Sequence, residues 1–183
     1  MKFTFDLFNG TTSPSSNFIQ WLPGWWYYSV GFPLNKGTLS NGDKWLLVGW
    51  FLSDENPEDI IVRMRYTSSE TLFRADGQFI LALFLKDQRS VHIYRDRTGI
   101  FPLFYAGGEH GIAFSQWIDN VQNMANFPYN TSDAILHHWP VYRKTFSPHT
   151  PFDAIKSLSG KHSLTIKNGC LSENAHPMCF PSG

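Results

Sequence analysis

The amino-acid sequence predicts an α+β fold built on two antiparallel sheets flanked by helices. Strand-like segments bounded by Gly, Pro and Asn recur along most of the chain. Several of them are rich in aromatic residues, which favour strands over helices. Segments with helical spacing are few and short, such as Pro57–Tyr66, in which Ile60, Ile61 and Met64 share one face.

The order of the elements follows from local apolar patterns and turn signals. Pro23-Gly24 and Pro33 bound an aromatic strand, and Asn41-Gly42 is a strong hairpin signal between that region and the next strand. Asn168-Gly169 is the last turn. The predicted strands are Lys2–Phe8, Trp25–Phe32, Trp45–Leu52, Gln78–Phe84, Val91–Tyr94, Ile112–Ser115 and Ser163–Ile166, and the predicted further helices are Gln116–Met124 and Ser132–His138.

The centre of the chain carries the clearest hairpin. Gln78–Phe84 is almost continuously apolar, so we expect a strand covered on both faces. A polar loop, Lys86–Ser90, separates it from the next strand. Arg95-Asp96-Arg97 then places opposite charges at a strand end, which predicts an internal ion-pair hub that holds the following loop.

The composition limits the domain count and the classes of partner. A chain of 183 residues suits one domain, which we expect to cover residues 1–169, with a tail or linker at 170–183. Basic and acidic residues balance at 15 each, so we expect no nucleic-acid partner. Cys170 and Cys179 lie in the Pro-rich tail, where free thiols are expected. The low share of charged residues and the many aromatics favour a partner interface.

No apolar run is long enough to cross a bilayer, so we expect no membrane association. The first residues lack the pattern of a secretory signal peptide. The expected location is therefore the cytoplasm.

The stretch from Asp76 to Ser115 resembles the centre of the glutamine amidotransferase domain of the asparagine synthetase family. The resemblance rests on Asp-Gly-Gln-Phe-Ile, on Arg-Asp-Arg-Thr-Gly-Ile-Phe-Pro-Leu-Phe-Tyr and on Ile-Ala-Phe-Ser, followed by Thr150-Pro151-Phe152 and a Gly-Lys-His sequence before the last strand. It covers roughly residues 45–168 and implies an αββα sandwich. The residues that it marks as structural are Gly49, Asp76, Gly77, Arg95, Asp96, Arg97, Gly99 and Pro102.

The catalytic residues of that family have no counterparts at the matching positions. The family uses an N-terminal Cys as nucleophile, whereas Met1 here is followed by Lys2. Its oxyanion hole uses an Asn-Gly pair, and the alignment puts Val48 in the place of the Asn while Gly49 is retained. No Arg precedes Arg63, so the clamp for the glutamine carboxylate is missing too. We therefore expect no catalytic residue, no metal ligand and no glutaminase activity in this chain.

The family contains a branch that has dropped glutamine hydrolysis, the β-lactam synthetases, carbapenam synthetase and lasso peptide cyclases. The resemblance implies a scaffold domain whose partner is an ATP-using synthetase domain, either C-terminal or separately encoded. ATP and Mg²⁺ would belong to that domain, and no cofactor is expected here. Ala106–His110 lacks the Asp-Ser end of a pyrophosphate loop and is better interpreted as a turn. A precursor peptide is a further candidate partner.

Other readings of the sequence belong to different functional classes. Cleavage before Thr4 or Thr11 would expose the nucleophile of a processed N-terminal hydrolase. The aromatic residues near Trp25 could form a peptide-binding module, although packing in a core is the simpler explanation. The adjacent His137 and His138 cannot readily share a metal ion, since neighbouring helical side chains diverge by about 100°. Ser115 is a further hydroxyl without a matching base nearby in sequence.

Overall fold

The computed structural model describes residues 4–66, 76–108, 110–126, 130–133, 147–160 and 162–175, together with 135, 137 and 140. Within these residues, no helix is long and apolar enough to cross a membrane. In chain order the elements are β1 (Thr4–Asn9), β2 (Ile19–Leu22), β3 (Trp25–Val30), β4 (Leu34–Thr38), β5 (Lys44–Phe51), α1 (Pro57–Tyr66), β6 (Gly77–Leu85), β7 (Ser90–Arg95), β8 (Phe104–Gly108), β9 (Gly111–Ser115), α2 (Ile118–Ala125), β10 (Lys156–Ser157), β11 (His162–Lys167) and β12 (Cys170–Ala175).

The chain forms two compact units, and each is assembled from two separate segments. The first unit consists of Met1–Phe32 and Pro102–Ser159, and the second of Pro33–Phe101 and Gly160–Gly183. Each unit contains one six-stranded sheet, and the described strands of both sheets pair in antiparallel fashion. The predicted α+β class with two antiparallel sheets is therefore confirmed.

The sheet of the first unit has the strand order β10-β8-β9-β1-β3-β2. Helix α2 packs on it, and its Val121 and Ala125 are buried against Phe8 and Ala113. Along β3 the side chains alternate in burial, with Trp25 and Tyr27 buried. This alternation is what a strand with one core-facing side requires, so the aromatic cluster does pack in a core, as predicted.

The sheet of the second unit has the order β12-β11-β7-β6-β5-β4. Five consecutive residues of β6 are buried, so its two faces are both covered, as its apolar run predicted. Helix α1 has the predicted bounds and buries Ile60, Ile61 and Met64 in a cluster with Phe79 and the neighbouring strands. Strands β6 and β7 form the predicted central hairpin and are joined by the predicted polar loop.

The hairpin at Asn41-Gly42 forms, but the aromatic strand is not its partner. The strand that pairs with β5 is β4, and β3 lies in the other sheet. The prediction missed β4 because Leu34–Thr38 is a mostly exposed strand at the sheet edge, where polar residues and Gly hide any alternation. The segment predicted as a tail also begins with an edge strand. Cys170–Ala175 form β12, which pairs with β11, and its mostly exposed residues show no alternation in the sequence.

Smaller differences concern helix bounds and the cysteines. Helix α2 begins at Ile118 rather than at Gln116, whose N–H instead donates to the Phe5 carbonyl of β1. Of the helix predicted at Ser132–His138, Asp133, Ile135 and His137 are helical, and residues 134, 136 and 138 lie outside the described residues. Cys170 is an exposed free thiol, and Cys179 lies outside the described residues.

A buried carboxylate fastens the second unit at the β4–β5 turn. Asp43 is 1% exposed and accepts hydrogen bonds from the Lys86 N–H at 2.8 Å, from Arg65 Nε at 2.7 Å and from Asn41 Nδ2 at 2.8 Å. Arg65 also donates to the exposed Asp87 at 2.8 Å. Burial by itself raises the pKa of Asp43, but the hydrogen bonds from Lys86, Arg65 and Asn41 outweigh it and lower the pKa below its ordinary value.

We predict that Asp43→Asn lowers the free energy of unfolding by about 3 kcal/mol, because it leaves Arg65, whose side chain is only 13% exposed, without its nearest carboxylate. The matched control is Asp87→Asn, which removes the exposed partner of the same Arg65 and costs less than about 1 kcal/mol. Urea unfolding at neutral pH measures both values. Equal effects of the two variants would contradict the assignment.

The same carboxylate predicts a pH dependence. Because the folded-state pKa of Asp43 is depressed below 3.8, its contribution is present above that pH and is lost as the pH falls through the folded-state pKa. The stability difference between the wild type and Asp43→Asn should therefore shrink in acid. A difference that stays constant from neutral pH down to pH 2 would show that the ionised form is not the stabilising one.

Candidate functional site

The strand β5 carries the two residues that align with the oxyanion pair of the resembled family. Val48 is completely buried, and Gly49 follows it with a φ of +93°. The Gly49 N–H donates to the Pro33 carbonyl at 2.9 Å. A Cβ atom at position 49 would overlap the Gln78 carbonyl oxygen of β6. The backbone approach between these strands is therefore sufficient to explain a glycine here.

The loop after β7 is organised by the carboxylate of Asp96. This residue is 1% exposed, and its Oδ1 accepts hydrogen bonds from the Thr98 hydroxyl and from the Gly99 N–H at 2.6 Å. Its own N–H donates to the Phe79 carbonyl of β6 at 2.9 Å. Asp96 Oδ2 is buried without a hydrogen-bond partner. The carboxylate thus closes the turn through local hydroxyl and amide donors.

The side chain of Arg95 packs across this turn. A Cβ atom at Gly99, whose φ is +66°, would overlap the Arg95 guanidinium, so the absence of a side chain at position 99 gives the guanidinium its place. Burial lowers the pKa of Arg95, and the negative charge of Asp96 partly opposes this shift. Arg97 is exposed, and its carbonyl lies against Gly160.

The remaining motif residues occupy separate places. The carbonyl of the exposed Asp76 accepts the Leu52 N–H at 2.7 Å, and Gly77 pairs with Phe51 at the start of β6. Pro102 begins the second segment of the first unit. The structure therefore brings Arg95, Asp96, Arg97 and Gly99 into one turn. The other members lie in or beside β5 and β6, except for Pro102, which belongs to the first unit.

A serine–histidine contact that the sequence did not reveal lies on the second sheet. Ser90 Oγ is 3.0 Å from His92 Nε2, and Thr165 Oγ1 is 3.2 Å from His92 Nδ1. Burial, and then the charge of Arg65, lowers the pKa of His92. Ser90 is only 2% exposed, so its hydroxyl is poorly placed to reach a substrate. The i, i+2 spacing of Ser90 and His92 was readable in the sequence, but the pairing with Thr165 depends on the register of β7 and β11.

The hydroxyl of Ser115, a candidate nucleophile in the sequence, has a carboxylate as its partner. Ser115 is completely buried and donates to Asp6 Oδ1 at 2.5 Å. Asn120 Nδ2 donates to both oxygens of the same carboxylate, at 3.0 and 3.2 Å. Asp6 also lines a cavity of about 270 Å³ in the first unit. Within the described part of the chain, no group of three or more His, Cys, Asp or Glu could hold a metal ion.

The model of the glutamine amidotransferase domain family matches residues 49–176, which is more than half of the chain. The chain belongs to this family. No curated protein matches the sequence. The matched region of this amidotransferase domain begins at Gly49 and includes the Asp96 turn and β12.

We predict that Gly49→Ala destabilises this amidotransferase domain by about 2–4 kcal/mol, because the new methyl group meets the Gln78 carbonyl and the backbone has a positive φ. Gly107→Ala is the control, since no atom lies within 4 Å of its added Cβ. That variant should change stability by less than about 0.5 kcal/mol. Thermal unfolding of both variants decides the matter, and similar melting temperatures would show that the strands can separate at Gly49 at little cost.

Proposed function

We propose that this amidotransferase domain does not hydrolyse glutamine and is a scaffold for an ATP-dependent amide-forming synthetase. The glutaminase-deficient branch of the asparagine synthetase family provides the parallel, with a lasso peptide cyclase or a β-lactam synthetase as the parent type. The proposal places the chain in the cytoplasm, assigns ATP and Mg²⁺ to the synthetase domain, and leaves a precursor peptide as a further partner.

The proposed absence of glutamine hydrolysis rests on the residues at the position aligned with the oxyanion hole. An oxyanion hole needs donors aimed at the place where negative charge develops. Here the Gly49 N–H is engaged by the Pro33 carbonyl, and the neighbouring side chain is the buried aliphatic group of Val48. An aliphatic side chain cannot donate a hydrogen bond, and removal of one such donor typically costs about 10²–10³ in rate.

The distribution of thiols supports the same conclusion. The two cysteines of the chain are Cys170 and Cys179. Cys170 is exposed on the edge strand β12, whereas the family places its nucleophile at the start of the domain. Neither thiol matches the family's position for the attacking group.

We predict that the purified domain releases no glutamate from glutamine above the rate in buffer, because it lacks the thiol and one oxyanion donor. A coupled glutamate assay measures the release, and mass spectrometry after incubation with a diazoketone analogue of glutamine detects covalent labelling. Glutamate release abolished by that analogue, with one label on the chain, would overturn the proposal.

The scaffold half of the proposal is supported by apolar groups that remain on the surface of the second unit. Trp50 is 42% exposed and lies edge-on to the Phe101 ring, with the ring centroids 6.3 Å apart. Leu52 and Ile100 are 69% and 54% exposed. Large exposed apolar side chains close in the fold are typical of surfaces that bind another protein domain.

We predict that the native protein, isolated gently from its own cells, contains or accompanies an ATP-using synthetase domain. Intact-mass measurement and native mass spectrometry separate the cases. A longer polypeptide or a stable heteromeric complex with such a domain is the expected result. A species of 21.0 kDa without an associated synthetase would contradict the scaffold role.

The processed hydrolase is the second candidate, because one observation favours it. Thr4 is 8% exposed, and its Oγ1 is buried without a hydrogen-bond partner in β1. Thr11, the other candidate, is exposed in the loop after β1. A native product whose first residue is Thr4 would establish this alternative, and a native product that retains the residues before Thr4 would exclude it at that position.

A further inference from the structure

The cavity of the first unit is assembled from three elements. Asp6 lies in the middle strand of its local sheet, with Tyr28 and Ser115 as its cross-strand neighbours. Helix α2 contributes Asn120 and the residues one turn further on, and the loop between β1 and β2 contributes Phe18. The strand register and the helical spacing thus aim side chains from distant parts of the sequence into one space.

The charge of the lining is one-sided. Asp6 is 4% exposed and is the acidic side chain of the lining, and the polar residues around it include three asparagines and a serine. Among the residues of the lining that the structure describes, none is Lys, Arg or His. A nearly buried carboxylate repels anions and favours a cation that can also donate hydrogen bonds.

The Asp6 carboxylate is held in a fixed orientation. Ser115 donates to one oxygen, and Asn120 donates to both. The Ser115 hydroxyl in turn accepts the Trp117 N–H at 2.9 Å, which fixes the direction of its own proton toward Asp6. Such a supported carboxylate is preorganised, so little ordering is needed when a ligand arrives.

The aromatic wall and the size of the cavity limit the rest of the ligand. The rings of Phe18 and Tyr28 lie with their centroids 5.9 Å apart and an interplanar angle of 31°, and both side chains line the space. The volume of about 270 Å³ lies just below the range of roughly 300–1,000 Å³ that is usual for small-molecule sites. One unbranched alkyl chain fits this wall better than a large ring system.

We propose that this cavity binds a primary alkylammonium group, with the ammonium at Asp6 and the alkyl chain against Phe18 and Tyr28. An ammonium group has three donors for the carboxylate and for the amide oxygens of the asparagines. The aromatic rings of Phe18 and Tyr28 add apolar contact for the alkyl chain. This inference concerns the face of the first sheet that packs on α2, and it does not depend on the absence of glutaminase activity.

The test is a titration of the full chain with butylammonium chloride, followed through the side-chain amide resonances of Asn120 and Asn123 by NMR. Sodium butyrate is the control of the same chain length with the opposite charge, and sodium chloride is the control of the same ionic strength. Saturable shifts with butylammonium alone are the expected result. No saturable shift, or equal shifts with butyrate, would overturn the proposal.

Three variants locate the binding. Asp6→Asn should weaken the affinity for butylammonium by about tenfold to a hundredfold, since it removes a charged hydrogen-bond acceptor. Asp119→Asn removes the same charge from an exposed neighbouring position of α2 outside the lining and should leave the affinity unchanged. If Asp6→Asn does not fold, the exposed rim variant Asn123→Asp decides, because an added carboxylate should tighten binding several-fold. Unchanged affinity in Asn123→Asp would then overturn the proposal.

The ammonium group can come from a free amine or from a lysine side chain, and a second titration separates the two. The probes are a short lysine peptide with blocked termini and its norleucine analogue. Tighter binding of the lysine peptide than of butylammonium identifies a peptide as the source, and the reverse identifies a small amine. Equal binding of the lysine and norleucine peptides would overturn the role of the ammonium group.

Discussion

The buried carboxylate of Asp43 joins three parts of the second unit that are far apart in the sequence. It ties the β4–β5 turn to the turn after β6 and to the last turn of α1. Without it, the helix would be held to the sheet mainly by its apolar face, which fixes position less specifically than directed hydrogen bonds do. The positions of the β5 and β6 residues that form the candidate site depend on this fastening.

The same device recurs at two other places in the molecule. Asp96 closes the turn after β7, and Asp6 connects the first sheet with α2. Each carboxylate is nearly completely buried, and each accepts hydrogen bonds from hydroxyl or amide donors. The chain has few charged residues, and three of its aspartates hold loops and helices in position.

Framework and chemistry are therefore separable in this amidotransferase domain. Within the matched region the buried carboxylate of Asp96 closes a turn, whereas the position aligned with the oxyanion hole carries Val48, followed by the Gly49 N–H that donates to the Pro33 carbonyl. Core packing and catalysis rest on different residues, so the presence of the fold does not by itself imply a reaction. The cavity at Asp6 adds a polar, negatively charged site on the face that packs on α2.

The sequence by itself determined the α+β class, the buried central hairpin, the bounds of α1 and the turns at Asn41-Gly42 and Asn168-Gly169. These features depend on neighbours along the chain, through apolar periodicity and the residues that tolerate positive φ. Only the tertiary structure decided the edge strands β4 and β12, whose polar residues carry no periodic signal. It also decided the meeting of Asp6 with Ser115 and Asn120 and of His92 with Thr165, because strand register and helix docking bring together residues that no local pattern connects.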